Sequence, residues 1–111
     1  MSPAARNHFI SVSKDGRLFA RRSGEPPLVI ATSHEGLVVP VPEERVGVAT
    51  IRVFFEYRPG AAARSICVTD LDVAGARMTI DAFLAHFDVT EAELGRWMRE
   101  AVDHALRRRV P

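Results

Sequence analysis

VGVATIRVFFEY, residues 46–57, decides the fold class. Gly47, Ala49, Ile51, Val53, Phe55 and Tyr57 recur with a period of two, and Thr50, Arg52 and Glu56 fall between them. Successive strand side chains point to opposite faces, so the pattern describes a strand with one face buried. Upstream, His8–Ser13 alternates in the same way, and Lys14-Asp15-Gly16 follows it. Asp-Gly is a strong hairpin-turn signal, because both residues tolerate positive φ. Arg17–Arg22 is then the partner strand, and Ser23-Gly24-Glu25-Pro26-Pro27 ends it. Leu28–Thr32 forms a short apolar strand, and His34-Glu35-Gly36 turns the chain into Leu37–Val41. Pro40 has no N–H to give a ladder, which argues for an edge position there. Downstream of Tyr57, Pro59-Gly60 makes a turn, and Ser65–Asp70 returns as a strand with Ile66 and Val68 facing inward.

After a loop through Gly75 the period changes from two to between three and four. Thr79 is placed to cap a short helix whose stripe is Ile80, Phe83, Leu84 and Phe87. Asp88-Val89-Thr90 interrupts it, and Thr90-Glu91-Ala92-Glu93 spells a capping box with Val89 and Leu94 at the hydrophobic-staple positions. The helix that follows, 91–109, carries Leu94, Trp97, Met98, Ala101, Val102 and Ala105 on one face. Its terminal arginines complement the helix dipole. A run of strands followed by helices predicts an α+β fold. The expected architecture is one antiparallel sheet of five or six strands over residues 8–70, with a helical hairpin over 79–109 packed on one face. The whole chain, 1–111, is expected to form a single domain with residues 1–7 frayed.

Composition narrows the class. The 111 residues are 47% apolar and 26% charged, the balance of an ordinary globular protein and not of a disordered one. A lone Cys67 cannot form an internal disulfide, which excludes a disulfide-stapled scaffold. No run approaches the roughly 18 apolar residues of a membrane span, and the first residues lack the apolar core of a signal peptide. A cytoplasmic location without a membrane partner is therefore expected. The net charge of +1 is unevenly distributed. Residues 1–30 and 96–111 each carry five bases against two acids, whereas residues 31–95 carry five bases against ten acids. The surface is expected to be polarised if the two ends meet.

The residues offer few candidates for chemistry. FLAHFDVTEAELGRWM, Phe83–Met98, resembles the helix-turn-helix of bacterial DNA-binding regulators: a short helix, a tight turn, a Val-Thr step, and a second helix bearing arginine and an aromatic. The resemblance spans about 20 residues and implies nucleic-acid contacts by the second helix. Asp88 stands where that motif has its turn glycine, and Glu91 and Glu93 lie where phosphates would approach. Arg96, Arg99, Arg107, Arg108 and Arg109 form one arginine cluster suited to phosphates or to a charged protein partner, and Arg17 and Arg21 on a strand form another. On an alternating strand Arg22 points the other way. Asp70 and Asp72 share a face, but no third ligand is near in sequence, and His8, His34, His86 and His104 have no metal-ligand spacing. Cys67 has no adjacent base, and Trp97 lies on the apolar stripe. There is no glycine-rich phosphate loop and no nucleophile elbow. Neither a catalytic residue, a metal site nor a cofactor is expected.

These readings favour a small non-catalytic regulator, inhibitor or adaptor that docks on another protein, by β-augmentation or by arginine anchors. A nucleic-acid-binding regulator is the alternative, and it requires the arginine clusters to share one surface. A small enzyme or ligand-binding domain needs His34, Asp70, Asp72 and His86 to converge in space. A homodimer through the sheet face or edge strand is compatible with the docking reading.

Overall fold

The computed structural model describes residues 8–59 and 67–108. In chain order they form β1 (His8–Val12), β2 (Arg17–Arg22), β3 (Leu28–Thr32), β4 (Leu37–Pro40), α1 (Glu43–Val46), β5 (Thr50–Phe55), β6 (Val68–Val73), β7 (Ala76–Met78), α2 (Ile80–Phe87) and α3 (Glu91–Arg108). The α+β class is as expected, but the sheet is not. The seven strands make two antiparallel sheets, one ordered β1-β2-β3 and one ordered β4-β5-β6-β7. Residues 1–7, the Ser65-Ile66 start of the expected return strand, and Arg109 lie outside the described residues.

The first hairpin forms where Asp15-Gly16 places it, with Gly16 N donating to Ser13 O at 3.0 Å. Of the Asp15-Gly16 pair only Gly16 takes a positive φ, +83°. Its backbone also meets the start of the next turn, where Ser33 N donates to Gly16 O at 2.6 Å. A Cβ at position 16 would collide with the Ser33 side chain. Pro40 sits at a sheet edge as its chemistry requires. Val41 N donates to Ala49 O at 2.9 Å, in the same register as Leu37↔Val53 and Val39↔Ile51. Hydrogen-bonded pairs alternate along an antiparallel ladder. Leu37 and Val39 therefore bond to β5, while the backbone groups of Val38 and Pro40 face the open edge. The N–H that proline lacks would have had no partner in the sheet.

The long strand expected over Val46–Tyr57 is shorter than its alternation suggests. Pro42 precedes a single helical turn, Glu43–Val46, and Gly47 closes it in the left-handed conformation (φ +87°) with its N–H on Glu43 O at 2.7 Å. Val46 is drawn into the core by that turn. β5 begins only at Thr50, and Tyr57 lies beyond it, exposed and not inward-facing. The strand after it is likewise displaced, running to Val73, and it turns through Ala74-Gly75 into β7. Both turn residues have positive φ, +54° and +90°, the two-residue hairpin geometry whose twist matches that of the strands.

Leu18 and Ala20 of the first sheet share one buried cluster with Leu37, Val39, Ile51, Val53, Phe55, Leu71 and Val73 of the second. Helix ends follow their capping residues. Ala82 N donates to Thr79 Oγ1 (3.1 Å) at the start of α2, and Asp88 ends it with φ +54°. At α3, Glu93 N donates to Thr90 Oγ1 (3.1 Å) while Thr90 N donates to Glu93 Oε1 (3.0 Å). Val89 and Leu94, the staple pair, are both buried. Both helices contribute to the same buried cluster as the second sheet, but they reach it over different strands, and packing of α2 on α3 as a hairpin is not shown. α2 lies against β6, and α3 crosses β4, β3 and β2. Phe83 anchors α2 with no exposed surface, and Leu94, Trp97, Ala101, Val102 and Leu106 anchor α3. Full burial of a side chain the size of phenylalanine contributes about 1.5–3 kcal/mol, so these stripes, rather than helix propensity, hold both helices in place.

Candidate functional site

The edge of β4 and the end of β3 do not close into one sheet, and α3 runs beneath the gap. The result is a groove of about 390 Å³. One wall is Ile30 and Ala31 from β3 and Leu37, Val38 and Pro40 from β4. The other is Ala101, His104, Ala105 and Arg108 from α3. The space exists because Ala31, Ala101 and Ala105 end at Cβ, while Val102 and Leu106 on the neighbouring positions of the helix carry the packing. Gly36 closes one end, its N–H on Thr32 O at 2.7 Å and its φ at +81°.

The charged residues on the groove are Arg52 and Arg108, against Glu35, and His104 lies beside Arg108. Arg52 stands opposite Val38 in the ladder and reaches along the rim, where its NH1 donates to the Glu35 carbonyl at 2.9 Å. Val38 itself is 47% exposed, more than any other large apolar side chain among the described residues. On its outer side lies a second, shallower concavity of about 320 Å³, bounded by Val38, Thr50, Arg52 and Asp72.

The expected site residues scatter. Arg17 is held in the first turn, its Nε and NH2 on Asp15 Oδ2 at 2.9 and 2.7 Å. That hydrogen bond is the main reason the Asp15 carboxyl lies below its ordinary pKa. Arg21 lies over the Phe9 ring at 4.5 Å. Both point away from the Leu18–Ala20 face that α3 covers. Arg96, Arg99, Arg107 and Arg108 are exposed on α3. Arg17 and Arg21 thus lie on the face of β2 opposite the one that packs on the core. Asp70 and Asp72 share the outer face of β6, but each is engaged: Arg77 NH1 donates to Asp70 Oδ2 at 3.0 Å, and Gly75 N donates to Asp72 Oδ1 at 2.9 Å. His34 lies in the β3–β4 turn, and His86 stands edge-on to Phe87 at 4.6 Å. Cys67 is half-buried just before β6. Among the described residues no group of three or more His, Cys, Asp or Glu side chains is suited to a metal ion, and no helix is long and apolar enough to cross a membrane.

Two ion-pair clusters were not anticipated from the sequence as such. The chain's basic ends meet at Asp103, where His8 Nε2 lies 3.3 Å from Oδ1, Arg22 NH2 lies 3.6 Å from Oδ1 and Arg107 NH2 lies 3.3 Å from Oδ2. Burial, the largest single influence, pushes the Asp103 pKa up. The hydrogen bond from His8 and the charges of Arg107 and Arg22 outweigh it and hold the carboxyl below its ordinary value. Elsewhere, Arg45 of α1 ties the α2–α3 turn, its NH1 on Glu93 Oε2 at 2.6 Å and its NH2 on Asp88 O at 2.8 Å. Arg45, and then the Thr90 N–H, pull Glu93 down to a pKa of about 2. Both clusters fasten elements together and leave the groove open. A sequence signal existed only for the second, in the capping box. No protein-family model matches the chain, and neither a curated protein nor a solved structure matches it.

Proposed function

We propose that this chain is a small non-catalytic docking protein, a regulator, inhibitor or adaptor whose partner is another protein. The observation that carries the reading is the groove beside the open edge of β4, with its alanine wall, exposed Val38 and cationic rim. Apolar area supplies the affinity of such a contact, and charge supplies its orientation and on-rate. The carboxylates and imidazoles needed for acid–base work do not converge, which favours docking over catalysis.

The test is site-specific photocrosslinking in the native host. A benzoylphenylalanine replaces Val38 in one variant and Ala92 in another; Ala92 is exposed in the first turn of α3, nine residues from Ala101 along the helix, or about 14 Å. A defined adduct at position 38, absent at position 92 and lost when Ala105→Trp fills the groove, is the expected result. The same adducts at both positions, or none at 38, would dispose of the groove as the docking site. The adduct's protein, identified by mass, is then rebound in purified form to separate true binding from proximity.

A further inference from the structure

The two sides of β4 differ in a way that specifies what the groove accepts. Val38 presents an N–H and a C=O to the open edge, and Pro40 presents only a C=O. An added strand can therefore form one complete hydrogen-bonded pair, with Val38, and one further bond to the Pro40 carbonyl. The edge is blunted for long sheet extension, as edges of native sheets are, but it remains open to a short segment.

Side-chain alternation then fixes the rest. The peptide residue opposite Val38 has its side chain on the outer face, in the row that continues to Arg52. Two strand spacings, about 9.6 Å, separate the backbones, a gap that a glutamate and an arginine bridge together. The residues on either side of it turn inward, toward the groove wall that Ala101 and Ala105 line, an apolar surface that favours apolar side chains. Arg108 at the mouth favours acidic flanks. We infer that the groove binds an extended acidic peptide, alternating acidic and apolar residues, as a short strand added to β4. The inference rests on the docking reading and gives its partner a chemistry.

The probe is acetyl-Glu-Val-Glu-Val-Glu-amide, titrated into isotope-labelled protein while backbone amides are followed by NMR. A saturable shift of the Val38 amide, with responses at Ala31, Ala101 and Ala105, is expected in the millimolar range. The lysine counterpart, acetyl-Lys-Val-Lys-Val-Lys-amide, replaces attraction with repulsion at several exposed pairs. Each pair shifts affinity by a small factor, and together they weaken binding by about tenfold or more. Arg52→Glu reverses the preference between the two peptides, and binding of the lysine peptide by that variant certifies its fold. Methylating the central glutamate nitrogen removes the bond to Val38 C=O and abolishes the shift.

Equal affinity for the two peptides, an unaffected N-methyl peptide, or shifts of these amides with protein concentration alone would each overturn the inference, the last by assigning the edge to a second copy of the chain. Adducts at position 38 without any peptide response would retire the acidic strand and leave the docking reading standing. Absence of both would retire both.

Discussion

Gly36 and Gly24 form a matched pair for measuring how tightly the groove's end is built. Their φ values are +81° and +82°, so the backbone cost of replacing either with alanine is the same in kind. Placing an L-residue in the left-handed region costs about 1–2 kcal/mol, and the stiffer unfolded chain returns about 0.4–1 kcal/mol. Gly24→Ala should therefore lose about 1 kcal/mol, because a Cβ there meets nothing within 4 Å. At Gly36 the same Cβ would lie 3.1 Å from Phe54 Cε1 and 3.1 Å from the Val53 carbonyl oxygen. Neither neighbour yields easily. Phe54 is pressed under the Arg77 guanidinium, 3.8 Å from the ring centroid, and Val53 is backbone in the β4–β5 ladder. Overpacking of this kind adds about 1–3 kcal/mol.

Gly36→Ala should accordingly lose about 2–4 kcal/mol in total. With about 4–8 °C per kcal/mol for domains near this size, its Tm falls by about 10–20 °C and that of Gly24→Ala by about 5 °C. Urea unfolding followed by the fluorescence of buried Trp97 gives the free energies, and thermal melts by circular dichroism give the Tm values. If the two losses agree to within about 0.5 kcal/mol, the usual scatter of such comparisons, the close approach of β5 to the β3–β4 turn is refuted.

Two further outcomes follow from the turns. Ala74 occupies the first position of the β6–β7 hairpin at φ +54°, where asparagine fits better, so Ala74→Asn should stabilise by about 0.5–1 kcal/mol in the same urea assay. Glu93 is held at a pKa of about 2 from an ordinary 4.5, so its contribution is complete above pH 4.5 and is lost as the pH falls toward 2. NMR titration of the Glu93 carboxyl should show that low midpoint, and Arg45→Gln should raise it, with the Thr90 N–H retaining part of the shift. An unchanged midpoint would mean that Arg45 is not the group holding it.

Local chemistry was legible wherever one residue type has one efficient use. Gly16 at the first turn, Pro40 at an edge, Thr79 and the Thr90–Glu93 capping box all do what their side chains predict. The misreadings share a cause. Alternation through Val46–Tyr57 is real as a pattern, but Pro42 and Gly47 bracket a helical turn, Glu43–Val46, that takes its first residues, and a turn needs only those two residues to win over a short stretch of period two. The β6–β7 hairpin was hidden because alanine occupies a position where asparagine or aspartate would have announced it. The division into two sheets depends on how β3 and β4 diverge after the 33–36 turn, a property of long-range packing under α3 that local propensity does not encode.

The candidate site was the least legible part for a related reason. Its walls come from residues 30–31, 37–40 and 101–108, and the alanines that create it look in sequence like ordinary members of a buried stripe. Ala101 and Ala105 belong to the apolar stripe of α3, and Ala101 is indeed buried; what sequence periodicity cannot show is that the sheet opposite leaves Ala105 only half-covered. The arginines made the opposite impression. Fourteen of the fifteen basic residues are Arg, which drew attention to Arg17, Arg21 and the end of α3. Yet Arg17 closes a turn, Arg21 covers a ring and Arg107 neutralises Asp103. Arg52, unremarkable within its strand, stands opposite Val38 beside an open edge. A docking surface of this kind is defined by where packing stops, so it becomes visible only once the positions of both sheets and α3 are known together.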